Sequence, residues 1–259
     1  NRPFRISILS GKGGTGKTTV TASLAVLASS SPIVIADCDV DAANLHLVLH
    51  GDETDSAPFY AGETAAIHPQ SCNQCGLCRL ACPYNAIRKT PDGYRVDPDR
   101  CEGCKVCTLV CPTNALHFEP RLCGSTQTFH TPYGPLLSAE LLPGGENSGK
   151  LVTDIRIRAL HTAENTHAAL LLIDGPPGVA CPAIASLTAT DLCLIVVEPT
   201  ISGIRAFQRI HQLANRFHIP SAVCLNKSDM AGQPLDHLEN LFKKEGVPLV
   251  GRIPFRRSV

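Results

Sequence analysis

The chain has 259 residues, 44% of them hydrophobic and 18% charged, with 23 basic and 23 acidic side chains. That length allows one sizeable α/β core and a smaller module, and the balanced charge leaves no global field to draw in nucleic acid or an anionic membrane. No apolar run approaches the roughly 20 residues of a membrane helix, and no charged segment precedes a long apolar one and a cleavage site, so a cytoplasmic protein is expected, with Asn1 read as a trimmed or renumbered start.

FRISILS, Phe4 to Ser10, is a short apolar run that stops at a glycine-rich loop, and it reads as a buried strand. Thr18 to Ser29 has helical spacing, PIVIADCD (32–39) is a second strand with an acidic end, and Thr54 to Ile67 is mixed. From His68 to about Pro120 the composition turns to cysteine, proline and short polar turns around an internal repeat. Residues 68–120 are therefore expected as an inserted module, flanked by the two parts of one larger domain, 1–67 and 121–259. Ser125 to Leu142 suggests a hairpin, followed by the loop Gly144 to Gly149 and a helix near Lys150 to His161. ALLLIDGPPG, DLCLIVVEPT, SAVCLNKSD and LVGRIPF are each a continuous apolar run ending in polar, Gly or Pro residues. Such runs suit strands buried on both faces of a mostly parallel α/β sheet. Functional residues in such sheets collect at carboxyl ends of strands, which here carry Asp39, Asp174, Glu198 and Asn226.

Gly11-Lys12-Gly13-Gly14-Thr15-Gly16-Lys17-Thr18 follows the pattern G-x-x-x-x-G-K-[ST] of a phosphate-binding loop. Glycines let several N–H groups turn toward phosphate oxygens, and the next helix offers its positive end to the same anion. Lys17 would reach the β- and γ-phosphates, and the Thr18 hydroxyl would ligate Mg²⁺.

The second lysine, Lys12, with Thr19 after the loop, resembles the deviant Walker A loop of the MinD/ParA/nitrogenase-iron-protein class of P-loop ATPases, within the SIMIBI class of P-loop NTPases. The resemblance covers nearly the whole chain outside the insertion. It implies Mg²⁺-dependent ATP hydrolysis by an ATP-dependent homodimer, or a heterodimer with a paralogue. Lys12 would cross the interface to the partner's nucleotide, a cation stabilising charge on the transferring phosphoryl group; the plainer reading is a solvated loop lysine. ADCDVDAANLH is similar to the first switch, with Asp37 and Asp39 as its D-x-D pair and Asp39 orienting the attacking water; the plainer reading of Asp39 is a carboxylate capping the next helix. LLIDGPPG is similar to the Walker B strand and second switch, with Asp174 holding Mg²⁺ through water. CLNKSD and RIPF resemble adenine-binding segments, with Asn226 bonding the base and the backbone near Pro254 lining its pocket. Arg256 departs from the acidic residue many relatives carry, and relatives often continue beyond Val259, so a truncation is expected there.

Thirteen cysteines are high for this length, and eight lie between Cys72 and Cys111. Cys72-x2-Cys75-x2-Cys78-x3-Cys82-Pro83 is followed by Cys101-x2-Cys104-x2-Cys107-x3-Cys111-Pro112. Each run has the bacterial two-cluster ferredoxin spacing, in which the fourth cysteine ligates the other cluster. The module therefore resembles an inserted small α+β ferredoxin domain. Cys72, Cys75, Cys78 and Cys111 are assigned to one [4Fe–4S] cluster; Cys101, Cys104, Cys107 and Cys82 to the second. Zinc sites usually take two ligand pairs with a longer gap. Cys38, Cys193 and Cys224 lie in apolar strands and read as packing residues, as does Cys181, although a third metal site with Cys123 is the alternative.

Together these features imply an ATP-switched dimer that passes electrons through two clusters to an unidentified redox partner, with no nucleic-acid or membrane partner. The alternatives are an ATP-dependent iron–sulfur carrier or scaffold, and a redox-regulated positioning switch of the MinD/ParA kind.

Overall fold

The computed structural model describes residues 2–145, 147–230 and 235–256. By its internal contacts the chain falls into two units: Asn1–Ala57, Ser125–Leu141 and Asn147–Val259 form the first, Pro58–Gly124 and Leu142–Glu146 the second.

In the first unit β1 (Phe4–Ser10) leads through the glycine loop into α1 (Lys17–Ala28), then β2 (Ile33–Asp37) and the short α2 (Leu45–Val48). β3 (Asp52–Ile67) carries the chain into the second unit. There α3 (Leu77–Ala81), the strands β4 (Ile87–Thr90) and β5 (Gly93–Val96), and α4 (Val106–Leu109) follow. β6 (Leu116–Thr131) leads back, and β7 (Gly134–Leu141) completes a hairpin with it. The remainder alternates helix and strand: α5 (Ser148–Asn165), β8 (Leu170–Pro177), α6 (Cys181–Leu187), β9 (Leu192–Val197), α7 (Ile201–Arg216), β10 (Ser221–Asn226), α8 (Leu235–Lys244) and β11 (Leu249–Ile253). The mixed stretch Thr54 to Ile67 is thus a strand, and α5 starts two residues earlier and ends four later than its sequence pattern indicates.

The sheet order is β11-β10-β9-β1-β8-β2-β7-β6-β3. The pairings from β11 through β7 are parallel. Parallel neighbours need crossover helices on the faces, which explains why these strands are apolar throughout rather than alternating. Adjacent residues then point to opposite cores. Ile8, Leu194, Val196 and Cys224 join one core with Val20, Ala25, Leu45 and Leu136. Leu9, Ile195, Val197 and Leu225 join the other with Phe207, Ile210, Leu238 and Phe242. Helix α7 supplies Phe207, Ile210 and Ala214 at three- and four-residue spacing, the period of one helix face. Cys38 and Cys193 are fully buried, and burial pushes both thiols far up. The register aligns Asp37 with Asp174 across β2 and β8, so the polar strand ends meet on one edge.

In the second unit β4 and β5 pair antiparallel, Ile87 opposite Val96 and Thr90 opposite Gly93. Its core is small. Ala65, Cys78, Ala86, Ile87, Cys101 and Cys107 are buried, with Ile67, Tyr94, Val96, Leu116 and Phe118 packed against them. Among these buried residues only Ile87 has a large aliphatic side chain. A module of this size needs more than apolar burial to hold its shape, and metal ligation is one of the usual means.

Candidate functional site

The glycine loop closes over the carboxyl end of β1. Ser10 Oγ donates to the Lys12 carbonyl at 3.0 Å. Gly16 stands at φ +84°, and a Cβ there would lie 2.2 Å from Asn226 Nδ2, so both backbone shape and space demand glycine. Asn226 Nδ2 donates to the Thr15 carbonyl at 2.7 Å, tying the loop to the end of β10. The loop and first turn of α1 line an open cavity of about 580 Å³, shared with Lys12, Asp39, Asp41, Pro176 and Pro177. Lys17, Thr18 and Thr19 form the opening turn of α1, where unpaired N–H groups suit an anion.

Asp174, fully buried near the end of β8, gathers three donors. Lys17 Nζ lies 2.9 Å from its Oδ1, Thr21 Oγ1 donates to the same oxygen at 2.8 Å, and Thr18 Oγ1 donates to Oδ2 at 2.8 Å. Thr18 and Asp174 therefore present a hydroxyl and a carboxylate together, hard oxygen donors of the kind Mg²⁺ prefers. Lys17 also faces Asp39 at 3.6 Å. Burial raises the Asp39 carboxyl, Lys17 opposes that, and the net shift is upward. Capping falls to Asp37 instead: its carboxylate accepts the N–H groups of Asp39, Asn44 and Leu45 at 3.0–3.2 Å. Burial first and the Asp174 charge second push Asp37 up to about 7.

A neighbouring recess of about 300 Å³ runs along Gly16, Thr19, Ser23, Asn226, Lys227, Pro254 and Phe255. With Asn226 Nδ2 engaged by Thr15, its Oδ1 remains as an acceptor, suited to an exocyclic amine. Asp229 accepts the Phe255 N–H and faces Arg256 at 3.6 Å, which fixes the segment after Pro254.

One contact has no sequence signal beyond a strand-end acid. Glu198, just past β9, takes Lys12 Nζ at 2.7 Å on Oε2 and Lys227 Nζ at 2.6 Å on Oε1. Burial pushes its carboxyl up, and the two ammonium groups more than reverse this. The Thr21 bond to Asp174 belongs to no motif either; the only signal for it is helical spacing, which puts its hydroxyl one turn beyond Lys17.

In the second unit the eight clustered cysteines separate into two groups. Cys72, Cys75, Cys78 and Cys111 line one small cavity. Cys82, Cys101, Cys104 and Cys107 line another. In both, the fourth member comes from the opposite run. Backbone N–H groups aim at sulfur: Ala115 to Cys111 at 3.3 Å, Ala86 to Cys82 and Ala65 to Cys101 at 3.4 Å. Burial raises the Cys78 and Cys107 thiols, and the sulfurs around each push the same way. Such crowding disfavours thiolates unless a cation balances them. Among the described residues no three or more His, Cys, Asp or Glu converge tightly enough for a single metal ion. Each cavity is lined by four cysteines, the donor number of a thiolate-held iron–sulfur cluster and of a four-cysteine zinc site alike. Cys181 is exposed at the start of α6, whereas Cys123 is buried with its thiol on the Ala61 carbonyl at 3.2 Å.

Residues 6–259 match the family model described as the CobQ/CobB/MinD/ParA nucleotide binding domain. The uncharacterized protein MJ0578 of Methanocaldococcus jannaschii is 36% identical over 228 residues, covering 88% of this chain and 79% of that one. The septum site-determining protein MinD complexed with Mg-ADP from Pyrococcus horikoshii OT3 shares the fold at TM-score 0.57 and 19% identity, covering 97% of this chain and 81% of that one. The cell division ATPase MinD of Pyrococcus furiosus gives 0.56 and 20%, covering 97% and 83%. No helix among the described residues is long and apolar enough to cross a membrane.

Proposed function

The chain belongs to the CobQ/CobB/MinD/ParA nucleotide-binding family, and from that premise we propose that it is a Mg²⁺-dependent ATPase whose ATP-bound dimer gates electron transfer through two [4Fe–4S] clusters. The observation that carries this reading is one chain with an anion-ready loop over Asp174 and two separate cysteine quartets.

Before nucleotide arrives, Lys17 is neutralised by Asp174 and Asp39. Phosphate oxygens take Lys17 from these acids, and the loop N–H groups cradle them. Thr18 and Asp174 would hold Mg²⁺, which supplies positive charge beside the phosphates. Asp39, freed from Lys17, positions the water that attacks the terminal phosphorus, and ADP and phosphate result. Lys12 of each subunit reaches the other's nucleotide and steadies the charge that builds during transfer. Asn226 Oδ1 and the Pro254 backbone receive the base.

Cys72, Cys75, Cys78 and Cys111 would hold one cluster, and Cys82, Cys101, Cys104 and Cys107 the second. Bound there, each cluster supplies a one-electron store. The N–H groups on Cys82, Cys101 and Cys111 stabilise negative charge on those sulfurs. Two full quartets favour resident redox centres over cargo. The fold shared with MinD favours a second reading, a positioning switch regulated by redox state.

The test is anaerobic purification followed by iron analysis and ATP-dependent dimerisation. About eight irons per chain are expected from two four-iron sites, and Lys12→Ala should weaken dimerisation and hydrolysis together. A value near four irons, or zinc in their place, ends the two-cluster reading, and unaltered Lys12→Ala behaviour ends the crossing role. Capture of a non-redox partner in ATP but not ADP would favour the positioning switch.

A further inference from the structure

Glu198 has no role in the scheme above, yet it is the strand-end acid that holds two lysines at once. Its side chain is 10% exposed, and it bridges Lys12 and Lys227. Lys227 also donates to the Gly14 carbonyl at 2.8 Å, so the acid, the base segment and the glycine loop are joined at one point. The backbone of Glu198 is fixed. Its carbonyl accepts the Thr200 N–H at 2.7 Å, in the turn where Thr200 caps α7. The Lys12 carbonyl is held by Ser10. What can move is the Lys12 side chain, 40% exposed on a four-carbon stem.

We propose that Glu198 is a positioning residue that parks Lys12 on its own subunit until a nucleotide-loaded partner draws it away, and so sets the threshold for dimerisation. The inference rests on the crossing role of Lys12 given above. The two-to-one charge ratio makes the contact releasable. When Lys12 leaves, Glu198 keeps Lys227, and no largely buried acid is stranded without a cation. The terminal phosphates of the partner's nucleotide carry more negative charge than one carboxylate, so exchange favours the crossed state only when such a partner is present. A subunit facing an empty partner keeps its lysine parked.

The geometry gives two variants of opposite sign. Glu198→Gln retains a hydrogen-bond acceptor for Lys227 but removes the charge that holds Lys12. Lys227→Met leaves Lys12 as the sole cation on Glu198 and makes its departure costly. Sedimentation of the full, cluster-loaded chain with a non-hydrolysable ATP analogue reads the protein concentration at half-dimerisation. Two contacts open per dimer, so Glu198→Gln should lower that concentration about tenfold, and Lys227→Met should raise it. In a Lys12→Ala background Glu198→Gln should have no further effect. A Glu198→Gln shift that persists without Lys12, or no shift while Lys12→Ala still weakens the dimer, overturns the parking role and leaves the crossing role standing. Lys12→Ala with undisturbed dimerisation removes both.

Discussion

Asp37 and Asp174 are neighbours in register, both fully buried, and the fold treats them differently. Asp174 is compensated by an ammonium and two hydroxyls. Asp37 has only backbone N–H groups to accept, and burial together with Asp174 pushes it up to about 7. A carboxyl raised from an unfolded value of 3.8 holds its proton in the native chain after the unfolded chain has lost it. Its stabilising contribution is therefore complete below pH of about 4 and disappears as pH rises through about 7. Asp37→Asn cannot titrate. The stability of the variant relative to the parent should thus improve steadily between about pH 4.5 and 8, by an amount on the order of a few kcal/mol. Denaturant unfolding of nucleotide-free protein at several pH values measures this; a difference that stays flat with pH would mean that Asp37 ionises normally.

At the scale of elements, α3 and α4 each carry the third cysteine of a run, Cys78 and Cys107, and the fourth sulfur of each run belongs to the other's cavity. If the quartets hold clusters as proposed, Cys111→Ser should erase the same cluster signal in electron paramagnetic resonance as Cys75→Ser. Cys82→Ser should erase the one lost in Cys104→Ser. If Cys111→Ser instead matched Cys104→Ser, each run would ligate its own cluster and the crossed assignment would fail. The crossed grouping of the cysteines is expected from the resemblance of both runs to two-cluster ferredoxins, whereas the glycine loop and the buried parallel strands are legible in short local pattern. Local pattern reaches no further than a few residues. Glu198, Lys12 and Lys227 stand at three separate strand ends, and nothing in their immediate neighbours says that they meet. The plainer reading of Asp39, a helix cap, is right in kind but belongs two residues earlier, at Asp37. Asp37 is the last residue of β2 and fully buried against Asn44 and Leu45, whereas Asp39 lies past the strand and faces Lys17. β3 resists reading because most of Asp52 to Pro58 is polar and exposed, with no buried face to set a period.

For the whole molecule, the chain passes between its two units inside β3 and inside β6, and again on either side of Leu142–Glu146, so each unit is built from non-contiguous sequence. One unit contains the loop and acids suited to nucleotide, the other the two quartets. A gate made of these parts is defined by a coupling free energy, and such a coupling is reciprocal. If the ATP-bound form prefers reduced clusters tenfold over oxidised ones, the potential rises by about 59 mV for one electron. The same tenfold must then appear as tighter nucleotide binding to reduced protein. The two numbers come from independent measurements: anaerobic potentiometry in ADP and in a non-hydrolysable ATP analogue, and nucleotide titration of oxidised and reduced protein. For an electron gate both should move and should agree within error. If neither moves, the nucleotide cycle and the clusters act separately. A shift in potential without the matching change in affinity would point instead to nucleotide-driven change in oligomeric state, which Lys12→Ala measured under the same conditions would separate from effects within one subunit.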